Sequence, residues 1–150
     1  LVFMAKLPTT PLVSELFQAV SNAKTKAEKV KLLKEYKRDD IKAILIWNFD
    51  KGIHSALPEG DVPYTPNDSP AGTEHTRLAH EWRTLYNYVK GGNDKLPGMK
   101  REMMFIQLLE GLHESEAEII CLVKDKQLQK KYRITRAVVE EAYEEIHWRD

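Results

Sequence analysis

Residues 100–128 read KREMMFIQLLEGLHESEAEIICLVKDKQL, and the fold class turns on them. Met103, Met104, Phe105, Ile106, Leu108, Leu109 and Leu112 leave almost no polar side, the pattern of a central helix. Ser115-x-x-Glu118 then reads as a capping box, in which a hydroxyl and a carboxylate each accept a free backbone N–H. It opens a second helix through Ile119, Ile120, Leu122 and Val123. The 98–124 segment is therefore expected to be a buried helical hairpin.

Working outward, the other segments repeat the helical period. Upstream, Thr10 before Pro11 reads as an N-cap with a first-turn proline, followed by Leu12, Val13, Leu16, Phe17 and Val20. Thr25-x-x-Glu28 is a capping box for a helix burying Ala27, Val30, Leu33 and Tyr36, with lysines 26, 29, 31, 34 and 37 over much of the remainder. Asp39 is expected to cap a third helix carrying Ile41, Ile44, Leu45 and Phe49. Thr73 is expected to cap a long amphipathic helix with Leu78, Trp82, Leu85 and Val89 inward and Gly91-Gly92 as its stop, and His75 packs half-buried near its start. Downstream, Thr135 caps a last helix with Val138, Val139, Ala142 and Ile146 inward and Glu140, Glu141, Glu144 and Glu145 outward. Nothing alternates long enough to demand a sheet. The expectation is an all-α, irregular bundle of six to seven helices forming one domain over residues 1–150. Residues 1–10 are read as a flexible N-terminus in which Met4 is the natural start and Leu1–Phe3 precede it.

One stretch breaks the pattern. Residues 57–72, LPEGDVPYTPNDSPAG, hold four prolines and two glycines and cannot be a helix interior. Proline-stiffened chain runs extended over a surface. Such a loop can present Val62, Tyr64, Pro66, Asn67 and Asp68 to a partner protein at low entropic cost; the alternative is that it packs back across its own domain. Pro63-x-x-Pro66 matches a proline-rich ligand motif only weakly. Of the tryptophans, Trp82 falls on a core stripe, while Trp148 reads as an exposed anchor.

Charge narrows the partners. The chain has 150 residues, 42% apolar and 31% charged, with 23 basic and 23 acidic groups, so no global field draws it to nucleic acid or membrane. Residues 1–50 carry nine basic and six acidic groups, whereas residues 101–150 carry eight and eleven, which favours binding through patches. Lys124, Lys126, Lys130, Lys131, Arg133 and Arg136 cluster around Tyr132, a candidate nucleic-acid site, and a second basic face lies on helix two. The connector is too long for a helix-turn-helix, and the glutamates at 140–145 oppose phosphate. No apolar run approaches the roughly 20 residues of a membrane span.

Catalytic and metal patterns are weak. His75 and His80 are five apart and diverge on a helix. Glu110…His113 and Glu144…His147 have the Glu-x-x-His spacing of di-iron bundles, but both sit at helix ends without inward glutamates from other helices. Cys121 lies in the apolar run AEIICLV, which disfavours the thiolate, and no phosphate-cradling glycine loop occurs. No enzyme activity, metal or cofactor is expected.

The blocks LPEGDVPYTPND (57–68), EHTRLAHEWRTLYNYVKGGN (74–93), residues 100–128 and ITRAVVEEAY (134–143) together resemble a family of small proteins of T-even-like myoviruses, particularly marine phages such as cyanophages. The likeness runs from Leu12 to Tyr143; the end with His147 and Trp148 departs from it. The family has no assigned activity, so no residue role carries over. The resemblance implies a phage protein made in the cytoplasm of an infected bacterium, or carried in the virion. The leading expectation is non-enzymatic binding of another phage or host protein through the proline loop, with nucleic-acid binding by 124–136 as the alternative.

Overall fold

A computed structural model describes residues 7–70 and 74–150. Its elements are α1 (Val13–Asn22), α2 (Lys26–Glu35), α3 (Asp39–Phe49), α4 (Leu78–Glu81), a 3₁₀ helix (Trp82–Tyr88), α5 (Gly98–Gly111), α6 (Glu114–Lys124), a short 3₁₀ turn (Leu128–Lys130) and α7 (Arg136–Ala142). Among the described residues the only strand-like pairing is one antiparallel bridge, Ser55 with Val89. The fold is all-α, as the periodicity predicts. The expected N-terminal flexibility falls partly on residues 1–6, and the Thr73 cap on 71–73, both outside the described residues.

The helices form where propensity, capping and burial agree. On α1, Val13, Leu16, Phe17 and Val20 are all fully buried on one face. The start lies two residues later than Thr10-Pro11 suggests, because the Leu12 N–H is held by the Glu15 carboxylate at 2.8 Å. Thr25 does cap α2, its hydroxyl accepting from Glu28 N at 3.1 Å. Asp39 is the first residue of α3 and not its cap; Asp40 instead receives a bidentate bond from Arg38 at 2.9 and 2.8 Å.

Two corrections concern the centre. α6 is capped by His113, whose Nδ1 accepts from Ser115 N at 3.2 Å, so Ser115-x-x-Glu118 is not the capping box. α5 is not apolar all round in effect: Phe105, Leu108 and Leu109 are buried, but Met99 and Met103 are 80% and 60% exposed. The long helix expected at 73–90 is also broken. α4 lasts one turn and gives way to the 3₁₀ helix, and His75 is exposed ahead of it. Backbone pairing competes for its end: Ala56 N donates to Tyr88 O at 2.8 Å and Lys90 N to His54 O at 2.7 Å. Buried Arg101 holds the following turn by donating to the carbonyls of Asn87, Asn93 and Leu96. A Cβ at Gly92 would lie 1.9 Å from Tyr86 O, so only glycine permits the turn.

One buried carboxylate ties these pieces together. Glu116 is fully buried on α6, accepting from Val13 N at 2.8 Å and from Leu78 N at 3.0 Å. These are the first residues of α1 and α4, whose N–H groups have no partner within their own helices. Burial pushes the Glu116 pKa up, outweighing the two backbone bonds and nearby Arg77, which pull it down. Elsewhere opposite charges line up across α2 and α7, with Lys37 and Lys42 both pairing with Glu145, at 2.6 and 3.0 Å. Those two lysines depress the Glu145 pKa to about 2.

Glu116→Gln keeps the shape but replaces one acceptor by an NH₂, leaving Val13 or Leu78 unsatisfied. Urea unfolding should show a loss of about 1–3 kcal/mol; an unchanged midpoint would mean that the carboxylate does not hold the two helices. Glu145 has its folded pKa below its unfolded one, so its contribution is present above about 4.5 and lost as pH falls through about 2. The stability gap between the protein and its Glu145→Gln variant should therefore close over that range, as measured by unfolding at stepped pH.

Candidate functional site

The two sequence candidates fare differently once folded. In the proline stretch, Lys124 is buried and its Nζ donates to Pro58 O at 2.7 Å, Gly60 O at 3.0 Å and the Asp125 carboxylate at 2.7 Å. Farther along, Thr65 N donates to the Glu110 carboxylate at 2.9 Å and the Asn67 side chain to Glu110 O at 3.2 Å. The segment thus lies back over α5 and α6. Val62 and Tyr64 are half-buried and pack on the core, which corrects the expectation that they reach outward to a partner. Burial, with smaller effects from Cys121 and Glu118, raises the Tyr64 pKa to about 12; burial likewise raises the Cys121 thiol to about 11, which leaves it unreactive. Pro66 and Asp68 are exposed and Asn67 is half-buried.

The basic stretch is largely committed to internal bonds. Lys124 is spent on the loop. Lys126 donates to Trp47 O at 2.6 Å and Asp50 O at 2.8 Å, closing the C-terminus of α3. Tyr132 is buried edge-on against Phe17, with centroids 5.9 Å apart, and cannot stack on a base. Lys131 pairs with Glu118. Arg136 grips Asp150 at 2.8 and 2.5 Å and lies 4.2 Å from the centre of the Trp148 ring, so Trp148 is no free anchor. Lys130 and Arg133 remain exposed.

Those losses are offset by a juxtaposition that local patterns do not reveal. A cleft of about 990 Å³ opens between the α1–α2 turn and the chain entering α7. Lys24, Lys26, Lys29 and Arg133 all line it. The two walls are bolted together: Lys29 Nζ donates to Val20 O at 3.0 Å, Ser21 O at 3.3 Å and Arg133 O at 2.7 Å. Arg133 N donates in turn to Ser21 Oγ at 2.9 Å. Burial lowers the Lys29 pKa, and Arg133 lowers it further by repulsion. Lys26 pairs only loosely with Glu141, at 3.5 Å, with both side chains more than half exposed. Among the described residues neither Lys24 nor Arg133 enters an ion pair. An anion in the cleft would meet these free cations on its rim, over a floor already neutralised by carbonyls.

Arg133 and the helix-two lysines are visible in the sequence as separate basic patches. Lys24 is isolated there, and its place beside Arg133 depends on contacts about a hundred residues long. Among the described residues no group of histidine, cysteine and acidic side chains is arranged to hold a metal ion. Nor is any helix there long and apolar enough to cross a membrane.

The chain is thus an all-α domain with one basic cleft. It belongs to a family of unknown function (DUF6433), whose model matches residues 16–130. No curated protein and no solved structure matches it.

Because Val62 and Tyr64 face the domain, Val62→Ala with Tyr64→Ala should destabilise it. A loss of about 2–5 kcal/mol in urea unfolding is expected from the apolar area removed. An unshifted midpoint would instead mean that the loop packs without consequence.

Proposed function

We propose that the protein is a non-enzymatic binding factor that holds the phosphate backbone of a nucleic acid in the basic cleft. The observation that carries this reading is the convergence of Lys24, Lys26, Lys29 and Arg133 on one concavity in a chain of zero net charge. Backbone contacts of this kind supply affinity without sequence preference. No exposed aromatic ring lines the cleft, so base stacking adds little. The resemblance to T-even-like phage proteins supports a setting in the cytoplasm of an infected bacterium, where phage nucleic acid is abundant.

A second reading is contact with another phage or host protein. It is favoured by Met99 and Met103, one turn apart on α5 and both well exposed, together with exposed Pro66 and Asp68. The surface differs from the Val62–Tyr64 face that the sequence suggests. Under this reading Met103→Lys would abolish co-purification of one defined protein while leaving nucleic-acid affinity intact.

Anisotropy titrations with single- and double-stranded DNA and RNA test the leading reading. Affinity should fall steeply with salt, and Lys24→Glu with Arg133→Glu should abolish binding at moderate salt. Replacing both by alanine should flatten the logarithmic salt slope by about 1.5–2, the expectation for two lost phosphate contacts. Absence of binding at low salt, or an affinity indifferent to those substitutions, would overturn the assignment.

A further inference from the structure

A second concavity, of about 310 Å³, lies between α3, the first 3₁₀ helix and the C-terminal segment. Its lining is mostly apolar and aromatic. Trp47 provides a buried wall, its indole N–H fixed to Ser55 Oγ at 3.0 Å. Half-buried Trp82 and exposed Tyr86 come from the 3₁₀ helix. The polar lining is one-sided in charge: Arg83, His147 and Arg149 against a single acid, Asp50. That acid is already spent. Asp50 is fully buried, accepting from Gly52 N at 2.8 Å and from Arg149 N at 3.0 Å.

The wall carrying Arg149 is held in place from both sides. Trp148 and Asp150 turn toward Arg136, while their neighbours His147 and Arg149 line the groove. A Cβ at Gly52 would fall 2.6 Å from Arg149 O, so this close approach requires glycine. Among the described residues Arg83 and Arg149 enter no ion pair; the Arg83 guanidinium lies 5.5 Å from the centre of the Trp82 ring.

We propose that this groove binds a small planar aromatic molecule carrying a carboxylate. Its ring lies against Trp82 and Tyr86, and its carboxylate meets Arg83 and Arg149. The volume sits at the small end of the range for ligand sites, enough for a molecule of one or two rings. The aromatic walls favour a flat ring, and two guanidiniums without a free acid select an anion. A carboxylate suits the planar guanidinium fork.

The test is a titration of the ¹⁵N-labelled full chain with indole-3-acetate, indole, acetate and adenosine monophosphate, following the three tryptophan indole N–H resonances. Indole-3-acetate should give saturable shifts at Trp47 and Trp82 and leave Trp148, on the far side of the tail, nearly still. Neutral indole should bind about tenfold more weakly, the loss expected for one charge-assisted contact. Arg83→Gln and Arg149→Gln should each weaken indole-3-acetate by a similar factor, with unchanged circular dichroism, whereas Arg133→Gln in the other cleft should not. Absence of saturable shifts, equal binding of indole, or indifference to both groove arginines would overturn the proposal. Tighter binding of adenosine monophosphate would overturn the carboxylate assignment in favour of a phosphate.

Discussion

A carboxylate buried on the central hairpin sets the position of much of the chain around it. Glu116 is sealed from water and accepts the leading N–H groups of α1 and α4, which lie 103 and 38 residues away in sequence. A buried acid is costly unless its oxygens find donors, and a helix N-terminus is costly to bury unless its N–H groups find acceptors. Each demand satisfies the other. Because α1 is held at this end by Glu116 and at its C-terminal carbonyls by Lys29, the α1–α2 turn has little freedom to shift. The basic cleft is built on that turn, so its geometry depends on a residue on the opposite end of α1.

What the sequence reveals about this molecule is what local chemistry decides. The hydrophobic stripe of α1, the Thr25 box and the Thr135 cap depend on neighbours within a few residues, and each is recognisable before folding. The 78–88 segment is different. Its stripe of Leu78, Trp82 and Leu85 suits an α-helix, but pairing with residues 54–56 and the Arg101 clamp on the next turn decide its end. Those contacts are tertiary, and no spacing within 74–93 announces them.

Charged residues were the hardest to place, for a related reason. A lysine in a basic run is usually a solvated one, and Lys124 and Lys126 carry no local sign that carbonyls from distant segments will claim them. The same stretch therefore looks richer in free cations than it is. Only Lys130 and Arg133 escape commitment, and Arg133 becomes meaningful through Lys24 and Lys29, whose approach the chain order hides. The proline stretch is the mirror case. Its irregularity is evident from composition, but the direction in which Val62 and Tyr64 point is decided by Lys124 and Glu110.

The unequal charges of the two ends acquire a structural use in the folded chain. Lysines of α2 and α3 meet glutamates of α7, so most of the asymmetry is consumed inside one interface, through Lys26–Glu141, Lys37–Glu145 and Lys42–Glu145. Exposed pairs of this kind contribute little stability each, but they remove charge from the outer surface of the bundle. The cations that remain uncommitted are consequently few and concentrated in place. A neutral protein with dispersed charge offers an anion no preferred position. One that neutralises its outer faces and leaves cations in two concavities directs an anion to those concavities, whatever its net charge.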